Sequence, residues 1–375
     1  MSERIRARVA ASAVALLLAT LAAAAPAAGS GRLITVGVFG DSVAEGYFTP
    51  HWTRDALVPQ LVRMLAAHGD ARGAVGLVPP IPFRWHFNRI TVTGHSIPAD
   101  GWLDQGWTVA KGVDGPSGYS AVTVSPLATA STVVDAALIG VLYDSGPTAG
   151  PFTVTIDGRP TTIDPQQLAA PAAAVRWIAV PPGRHTVTVG GPAFGELSFA
   201  GIVARTPPAA GVEVEVEDLG HAAHSPQDDL APRVEQSLAL LRVDVSLFLW
   251  GYTDELSDAR GRAGYGKSPY ARAIAARAAL THRLGGLCLI ADPSPLAVSP
   301  RVRNGFSRAN RVLARRVGCA WTGAMRRLWD PLTSIQQQLT LVDDVHPTAA
   351  GYHLMVRALA RPLQELIAQR LRQRA

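Results

Sequence analysis

The stretch LITVGVFGDS at residues 33–42 decides the fold. A continuous apolar run that ends in glycine is typical of a strand buried on both faces, as in a parallel sheet. Comparable apolar runs recur at 243–250, 287–291 and 319–322. Helical spacing marks five other segments: 54–68, 225–241, 268–284, 301–316 and 348–372. Strands that alternate with helices predict an α/β fold of three layers, a parallel sheet with helices on both faces.

The segment 212–217 reads Val-Glu-Val-Glu-Val-Glu and therefore alternates strictly between apolar and charged residues. Such a pattern predicts a strand with one apolar and one charged face, and charged side chains are typical of a strand at the edge of a sheet. We therefore expect a flavodoxin-like strand order with this strand on the edge. The strands at 33–39 and 243–250 then end on either side of the point where the strand order reverses.

Between about 91 and 206 the helical periodicity disappears and short alternating runs take its place. Examples are 121–124, 152–156 and 186–189, and turn signals such as Asp157-Gly158 and Pro182-Gly183 separate them. Many short strands with turns predict an all-β sandwich. We expect this sandwich, residues 91–206, to be inserted between the two parts of the α/β domain, 29–90 and 207–375. The glycine- and proline-rich residues 73–82 are expected to form a loop.

Residues 1–28 have the pattern of a secretory signal peptide. Arg4, Arg6 and Arg8 precede an apolar run over 9–21, and small residues at 23–28 offer cleavage sites. The alternative is an uncleaved N-terminal anchor, although the run is shorter than the roughly 20 residues of a membrane span. The pattern predicts a secreted, periplasmic or cell-envelope protein without a stable membrane span in the mature chain.

The formal charge of +6 falls to +4 when the arginines and Glu3 of that leader are removed. Basic residues gather in the C-terminal helical segment at positions 357, 361, 370, 372 and 374. They indicate either a solvated face or weak attraction to an anionic envelope polymer, and the pattern does not favour nucleic-acid binding. An apolar content of 48% supports a sizeable core. The cysteine pair Cys288 and Cys319 is compatible with a disulfide or with two buried thiols.

Three residues from the two ends of the chain fit the chemistry of an activated serine. Ser42 follows the first strand, and His346 lies in the segment Asp343-Asp344-Val345-His346-Pro347 before the last helical segment. A serine becomes a good nucleophile when a histidine takes its proton, and a carboxylate orients that histidine. We assign Asp343 this role and treat Asp344 as the rival carboxylate. The alternative interpretation is structural: Ser42 caps a helix, and His346 is a surface histidine with Pro347 at the first helical position.

Ligand sites of open α/β sheets lie beyond the C-terminal ends of the strands, where the strand order reverses. Ser42 directly follows the strand at 33–39, and Gly251 directly follows the strand at 243–250. Asp343 and His346 precede a helix and are expected on the same rim. Topology and chemistry therefore predict one site.

At these positions the sequence resembles the SGNH (GDSL) hydrolase superfamily. Residues 38–42 look like the block that carries the nucleophile, and 216–220 like the second block, whose Gly220 gives an oxyanion-hole N–H. Residues 250–255 look like the third block and 343–347 like the fifth. The resemblance implies hydrolysis of an ester by a Ser-His-Asp triad, with the Ser42 and Gly220 N–H groups as oxyanion donors and without a cofactor.

The third block departs from the usual pattern. Its oxyanion-binding asparagine is replaced by Thr253, whose hydroxyl can donate one hydrogen bond. The glycine-rich residues 73–79 and the run 211–220 resemble a bacterial subgroup that carries a carbohydrate-binding-like sandwich between the first two blocks. Some members remove O-acetyl groups from peptidoglycan. The resemblance therefore implies an exported esterase acting on an acylated polysaccharide or a small ester.

Two other readings stay open: a catalytically weak or inactive carbohydrate-binding protein, which Thr253 and the β insertion favour, and an acyltransferase. His221 and His224 are too few to predict a metal site, and no metal is expected. The tryptophans Trp102, Trp107 and Trp177 are candidates for sugar stacking or for core packing.

Overall fold

A computed structural model describes residues 31–46, 49, 52–67, 72–75, 77–78, 103–105, 107–111, 119–167, 170–206, 208, 211–220, 232–250, 269–292, 300–343 and 345–375. The predicted signal peptide lies outside these residues. Among the described helices, none is both long and apolar enough to cross a membrane.

The strands are numbered along the chain: β1 (Arg32–Gly40), β2 (Arg72–Val75), β3 (Leu77–Val78), β4 (Leu103–Gln105), β5 (Thr108–Lys111), β6 (Tyr119–Thr123), β7 (Thr129–Ser145), β8 (Phe152–Ile156), β9 (Arg159–Ile163), β10 (Ala172–Gly190), β11 (Leu197–Arg205), β12 (Val212–Gly220), β13 (Val245–Phe248), β14 (Leu287–Ala291) and β15 (Ala320–Thr322). The described helices are α1 (Ser42–Glu45), α2 (Trp52–Asp55), α3 (Leu57–Ala67), α4 (Pro232–Leu241), α5 (Pro269–Arg283), α6 (Pro300–Val317), α7 (Ala324–Trp329), α8 (Ser334–Leu339) and α9 (Ala349–Gln373).

Six strands form a parallel sheet in the order β15-β14-β13-β1-β12-β2. One hydrophobic cluster joins this sheet to α3 and α9, and a second joins it to α4, α5 and α6. The sheet therefore lies between two layers of helices, as the alternation of apolar runs and helical segments predicted. The central strand β1 is buried from Ile34 to its end because both of its faces are covered.

The prediction that segment 212–217 forms an edge strand is wrong. Strand β12 lies between β1 and β2, and the short β2 pairs with residues 213–216 on its outer side. The charged face is also buried: Glu215 and Glu217 are both 0% exposed. Residues 73–82, expected as a loop, contain most of β2 and all of β3. An arginine of the second sheet lies against these two glutamates.

Nine antiparallel strands form the second sheet, with β5-β6-β11-β7-β10-β8-β9 as its main path and β3 and β4 at its side. These strands lie in the chain between β2 and β12. The predicted sandwich of two sheets is instead one continuously hydrogen-bonded sheet. Residues of β6 and β11 share a core with residues of β8 and β9 from the other end of the path, so the sheet curls around its own core. Strand β3, at residues 77–78, already belongs to it and precedes the expected boundary at 91.

The predicted turn at Asp157-Gly158 is confirmed: both residues have positive φ, 49° and 80°, as a tight hairpin turn between β8 and β9 requires. Pro182-Gly183, expected as a second turn, lies within β10 instead. The pairing with β7 shifts register between Ala179 and Gly183, so these residues form a bulge rather than a chain reversal.

The two sheets meet around one buried arginine. Arg205 of β11 places Nε 2.8 Å from a carboxylate oxygen of Glu215 and an Nη atom 3.6 Å from one of Glu217. Its guanidinium also lies 4.8 Å above the ring of Trp177. Burial lowers the pKa of Arg205, but the two carboxylates outweigh this effect and hold the pKa above its usual value. The charged face of β12 thus supplies the two carboxylates of an ion-pair cluster, and the second sheet supplies the arginine.

Cys288 and Cys319, whose pairing the sequence left open, form a disulfide with Cα atoms 4.8 Å apart. Parallel pairing of β14 with β15 brings them together, since Leu289 pairs with Ala320. Arg370 of α9 and Arg374, which directly follows the helix, converge on the buried Asp244, at 3.0 Å and 2.7 Å. Part of the C-terminal basic cluster is therefore structural rather than a solvated face.

Candidate active site

Ser42 is the first residue of α1, directly after β1. The helix is capped by Asp41, whose Oδ1 accepts a hydrogen bond from the Val43 N–H at 3.1 Å, so Ser42 is not itself the cap. The helix ends at Gly46 with φ of 82°. The backbone N–H of Ser42 lies at a helix start, where N–H groups have no acceptor within the helix.

Two paired glycines let α1 lie directly on the sheet. Gly40 of β1 is in register with Gly220 of β12. A Cβ on Gly40 would collide with the Ala44 side chain, and one on Gly220 would lie 2.5 Å from the Glu45 nitrogen. Side chains at these positions would push the helix away, and Ser42 with it.

Ser42 and His346, 304 residues apart, are in hydrogen-bond contact. His346 Nε2 lies 3.0 Å from Ser42 Oγ, and His346 Nδ1 lies 2.8 Å from Asp343 Oδ2. An ionised carboxylate only accepts hydrogen bonds, so Nδ1 carries the proton and Nε2 turns its lone pair to the serine. This is the order of contacts needed for a histidine to take the serine proton.

Asp343 is held as a carboxylate by three N–H groups. Its Oδ1 accepts from the backbone N–H of Val345 at 2.7 Å and of His346 at 2.6 Å, while Oδ2 accepts from the imidazole. Burial raises the pKa of Asp343, but these hydrogen bonds outweigh burial and the pKa lies below its usual value. Asp343 therefore stays charged in neutral solution and fixes both the tautomer and the direction of the ring.

The loop that carries His346 is braced by residues that the sequence analysis missed. The Val342 N–H donates to the His346 carbonyl at 2.7 Å, and the Thr348 N–H donates to the Thr340 carbonyl at 2.9 Å. Trp329 Nε1 donates to Thr340 Oγ1 at 3.1 Å. Thr348 caps α9, so Pro347 is not the first helical residue, contrary to the alternative reading of His346. A threonine before a helical segment was the available signal.

Gly220 lies beside α1, but its N–H has a partner in the described structure. It donates to Asp218 Oδ1 at 3.2 Å. The second predicted oxyanion donor is thus occupied by a carboxylate of its own strand. The third, Thr253, lies outside the described residues, as do Asp344, His221, His224 and Trp102.

Trp107 and Trp177, the other two tryptophans considered for sugar stacking, are each partly buried. Trp107 packs against Phe199 of the second sheet's core with ring centres 6.0 Å apart, and Trp177 packs beneath Arg205. Within the described residues, one group has the composition of a metal site: His282 with Cys288 and Cys319. Their sulfur atoms are joined in the disulfide, so they are not thiolate ligands.

No family model and no curated protein matches this sequence. Solved structures do match. A family two carbohydrate esterase from Cellvibrio japonicus is 12% identical, with 71% of this chain and 99% of that chain covered and a TM-score of 0.32. An active-site mutant of a family two carbohydrate esterase from Clostridium thermocellum is 11% identical, with 72% of this chain and 99% of that chain covered and a TM-score of 0.32. An acetylxylan esterase from Geobacillus stearothermophilus is 18% identical, with 40% of this chain and 72% of that chain covered and a TM-score of 0.33. At TM-scores near 0.3, this likeness carries no functional conclusion.

Proposed function

We propose that this protein is an exported serine esterase. The observation that carries the proposal is the unbroken contact from Asp343 through His346 to Ser42 Oγ. The position of these residues supports it, because Ser42 follows the C-terminal end of β1. The strand order supports it as well, because β12 and β13, which come later in the chain, lie on opposite sides of β1.

In the proposed reaction, Ser42 Oγ attacks the ester carbonyl carbon and His346 Nε2 takes the Oγ proton. The carbonyl oxygen becomes an oxyanion. When the tetrahedral intermediate collapses, the bond from carbon to the leaving alcohol breaks, and the alcohol receives the proton from Nε2. A water molecule then repeats both steps on the acyl-enzyme and frees Ser42. Asp343 keeps Nδ1 protonated and stabilises the imidazolium that forms twice in the cycle.

We propose the Ser42 N–H as the first oxyanion donor and Gly220 and Thr253 as the others. For Gly220 to serve, its contact with Asp218 at 3.2 Å has to give way when the oxyanion forms. Loss of one such donor can slow an acyl-transfer enzyme by roughly 100- to 1000-fold. The number of working donors therefore sets the rate of this site rather than its chemistry.

The finer substrate assignment is an acetyl ester of a cell-envelope or extracellular polysaccharide. It is supported by the sequence resemblance, the leader predicted at residues 1–28 and the large antiparallel sheet that packs against the α/β part. Transfer of the acyl group to a sugar hydroxyl needs the same triad and replaces only the water.

The first test is mass spectrometry of the mature protein after treatment with a fluorophosphonate, beside Ser42→Ala. A single adduct on Ser42 is expected, because an activated serine attacks the phosphorus centre. Ser42→Ala should lose the adduct, and its turnover of a small acetyl ester should fall by about a million-fold. A folded wild-type protein that takes up no adduct would refute the proposal.

That outcome would favour the second candidate, a carbohydrate-binding protein on a hydrolase scaffold. The occupied Gly220 N–H is the specific observation in its favour. It predicts glycan binding that Ser42→Ala leaves unchanged.

A further inference from the structure

Residues 300–329 carry eight arginines and no aspartate or glutamate. This segment is denser in positive charge than the last helix, where the basic cluster was predicted. Most of these arginines belong to α6, which packs its apolar side, including Phe306 and Leu313, into the core. Four of its arginines, Arg308, Arg311, Arg315 and Arg316, are exposed on the outer side of the helix.

Arg308, Arg311 and Arg315 share one exposed face of α6, since they are three, four and seven positions apart. We call these three residues the arginine stripe. At 1.5 Å per residue, the stripe extends for about 10 Å along the helix. Val312, between its members, is 61% exposed.

No carboxylate of the described residues forms an ion pair with the arginine stripe. The nearby acids are engaged elsewhere: Asp330 lies 3.4 Å from Arg303 and 3.7 Å from Arg326. Asp292 is buried and accepts from Ser307 and from Trp321 Nε1. The positive charge of the stripe is therefore not neutralised within the described fold.

One member of the stripe is held in place. The Arg311 guanidinium lies 5.5 Å from the centre of the Trp321 ring, and Trp321 is fixed by its hydrogen bond of 2.9 Å to Asp292. An arginine stacked on an aromatic ring keeps its N–H groups free for a ligand.

The start of α6 is linked by side-chain contacts to the loop that carries His346. Arg303 lies 4.7 Å from the Trp329 ring centre, and Trp329 donates to Thr340, which pairs with Thr348 beside His346. Because α6 follows β14, it begins at the rim where strands end and runs away from it. The stripe lies further along α6 than Arg303 and therefore continues away from that rim.

We propose that the arginine stripe binds a carboxylate-bearing polysaccharide, the continuation of the substrate beyond the reacting ester. This inference rests on the proposed function and narrows its substrate class to an acidic glycan. Guanidinium groups match carboxylates through paired N–H donors, and a single file of them suits an extended chain with charges at intervals.

The test compares binding of polygalacturonate by the full mature chain and two triple variants. The first variant is Arg308→Gln/Arg311→Gln/Arg315→Gln. The matched control is Arg357→Gln/Arg361→Gln/Arg372→Gln on α9, which lies on the opposite face of the sheet and loses the same charge. Affinity is measured between about 50 and 500 mM salt, since contacts between exposed charges weaken over this range.

We expect wild type and control to bind polygalacturonate with an affinity that falls with salt. The stripe variant should bind about tenfold more weakly or worse and depend less on salt. Neutral dextran should bind to none of them. All three should hydrolyse a small uncharged acetyl ester at similar rates, which also shows that the variants fold.

Equal loss in both triple variants would overturn the proposal, because it would reduce the effect to net charge. So would failure of wild type to bind polygalacturonate, or preferential binding to phosphatidylglycerol vesicles, which would make the partner a membrane. Failure of the proposed function is read separately, from the absence of a fluorophosphonate adduct on Ser42. Polymer binding does not depend on that adduct.

Discussion

At the scale of single residues, Asp343 fixes the geometry of the candidate site through both of its oxygens. One oxygen accepts from two backbone N–H groups and the other from the His346 ring. The first set of bonds fixes the carboxylate and the second fixes the imidazole. A side chain of the same shape without the charge would keep the position but not the tautomer.

Asp343→Asn is therefore expected to lower kcat for a small acetyl ester by about 10³- to 10⁴-fold with little change in KM. The single amide oxygen would keep accepting from the backbone N–H groups of Val345 and His346, so the NH2 group would face Nδ1 and favour the ring proton on Nε2. Steady-state kinetics provide the measurement. Asp344→Asn, the rival carboxylate in the sequence, is the control and should stay near wild-type activity. The reverse result would exchange the two roles.

At the scale of elements, the bulge in β10 places a hydrogen-bond acceptor at each ring nitrogen of His185. His185 Nδ1 lies 2.6 Å from Asp157 Oδ2, and Nε2 lies 2.7 Å from the Pro181 carbonyl. A ring that faces an acceptor on each nitrogen is stabilised when protonated. The hydrogen bond to Asp157 raises the pKa of His185, against burial, and the same bond lowers the pKa of Asp157.

The sign of the pH effect follows. A histidine whose pKa is raised by folding contributes stability that is complete below the unfolded pKa of about 6.5 and is lost as pH rises through the folded value. We expect the unfolding temperature of wild type to fall across that window. His185→Gln should lack this fall and be less stable mainly on the acidic side.

Calorimetry of wild type and His185→Gln from pH 5 to pH 9 measures the unfolding temperature. His353→Gln, at an exposed histidine of α9, is the control. If His185→Gln followed the wild-type curve in parallel, the pair would not be the source of the pH dependence.

At the scale of the whole molecule, the two sheets are joined by charge as well as by apolar contact. Arg205 comes from the antiparallel sheet, while Glu215 and Glu217 come from the parallel one. Leu142, Ala200 and Val203 share a core with α4 and α5 across the same junction. The inserted sheet is thus part of the folded unit around the site.

Arg205→Met should destabilise the protein by about 3–5 kcal/mol, because it leaves two buried carboxylates without their cation. Urea unfolding followed by tryptophan fluorescence measures this. Arg184→Met, at an exposed position of the same sheet, is the control and should change stability by about 0.5 kcal/mol or less. A small effect of Arg205→Met would show that the sheets are held by apolar packing alone.

The alternation of apolar strands and helices was enough to predict the layered α/β part, since burial on two faces leaves a continuous apolar run. The position of β12 in the sheet could not be predicted in this way, because a Val-Glu repeat looks the same at a solvated edge as it does against a buried arginine. Similarly, Pro182-Gly183 has the composition of a turn, and only its pairing with β7 shows a bulge.

The sequence by itself determined which chemical groups are available: a serine after a buried strand, and a histidine three residues after an aspartate. These assignments depend on local order and side-chain chemistry. Tertiary structure alone decided that Ser42 and His346 meet at 3.0 Å, that Asp218 occupies the Gly220 N–H, and that Cys288 pairs with Cys319. It also decided which arginines are structural and which form an open stripe. Contacts between distant segments depend on how strands are ordered and helices packed, and no local pattern encodes that order.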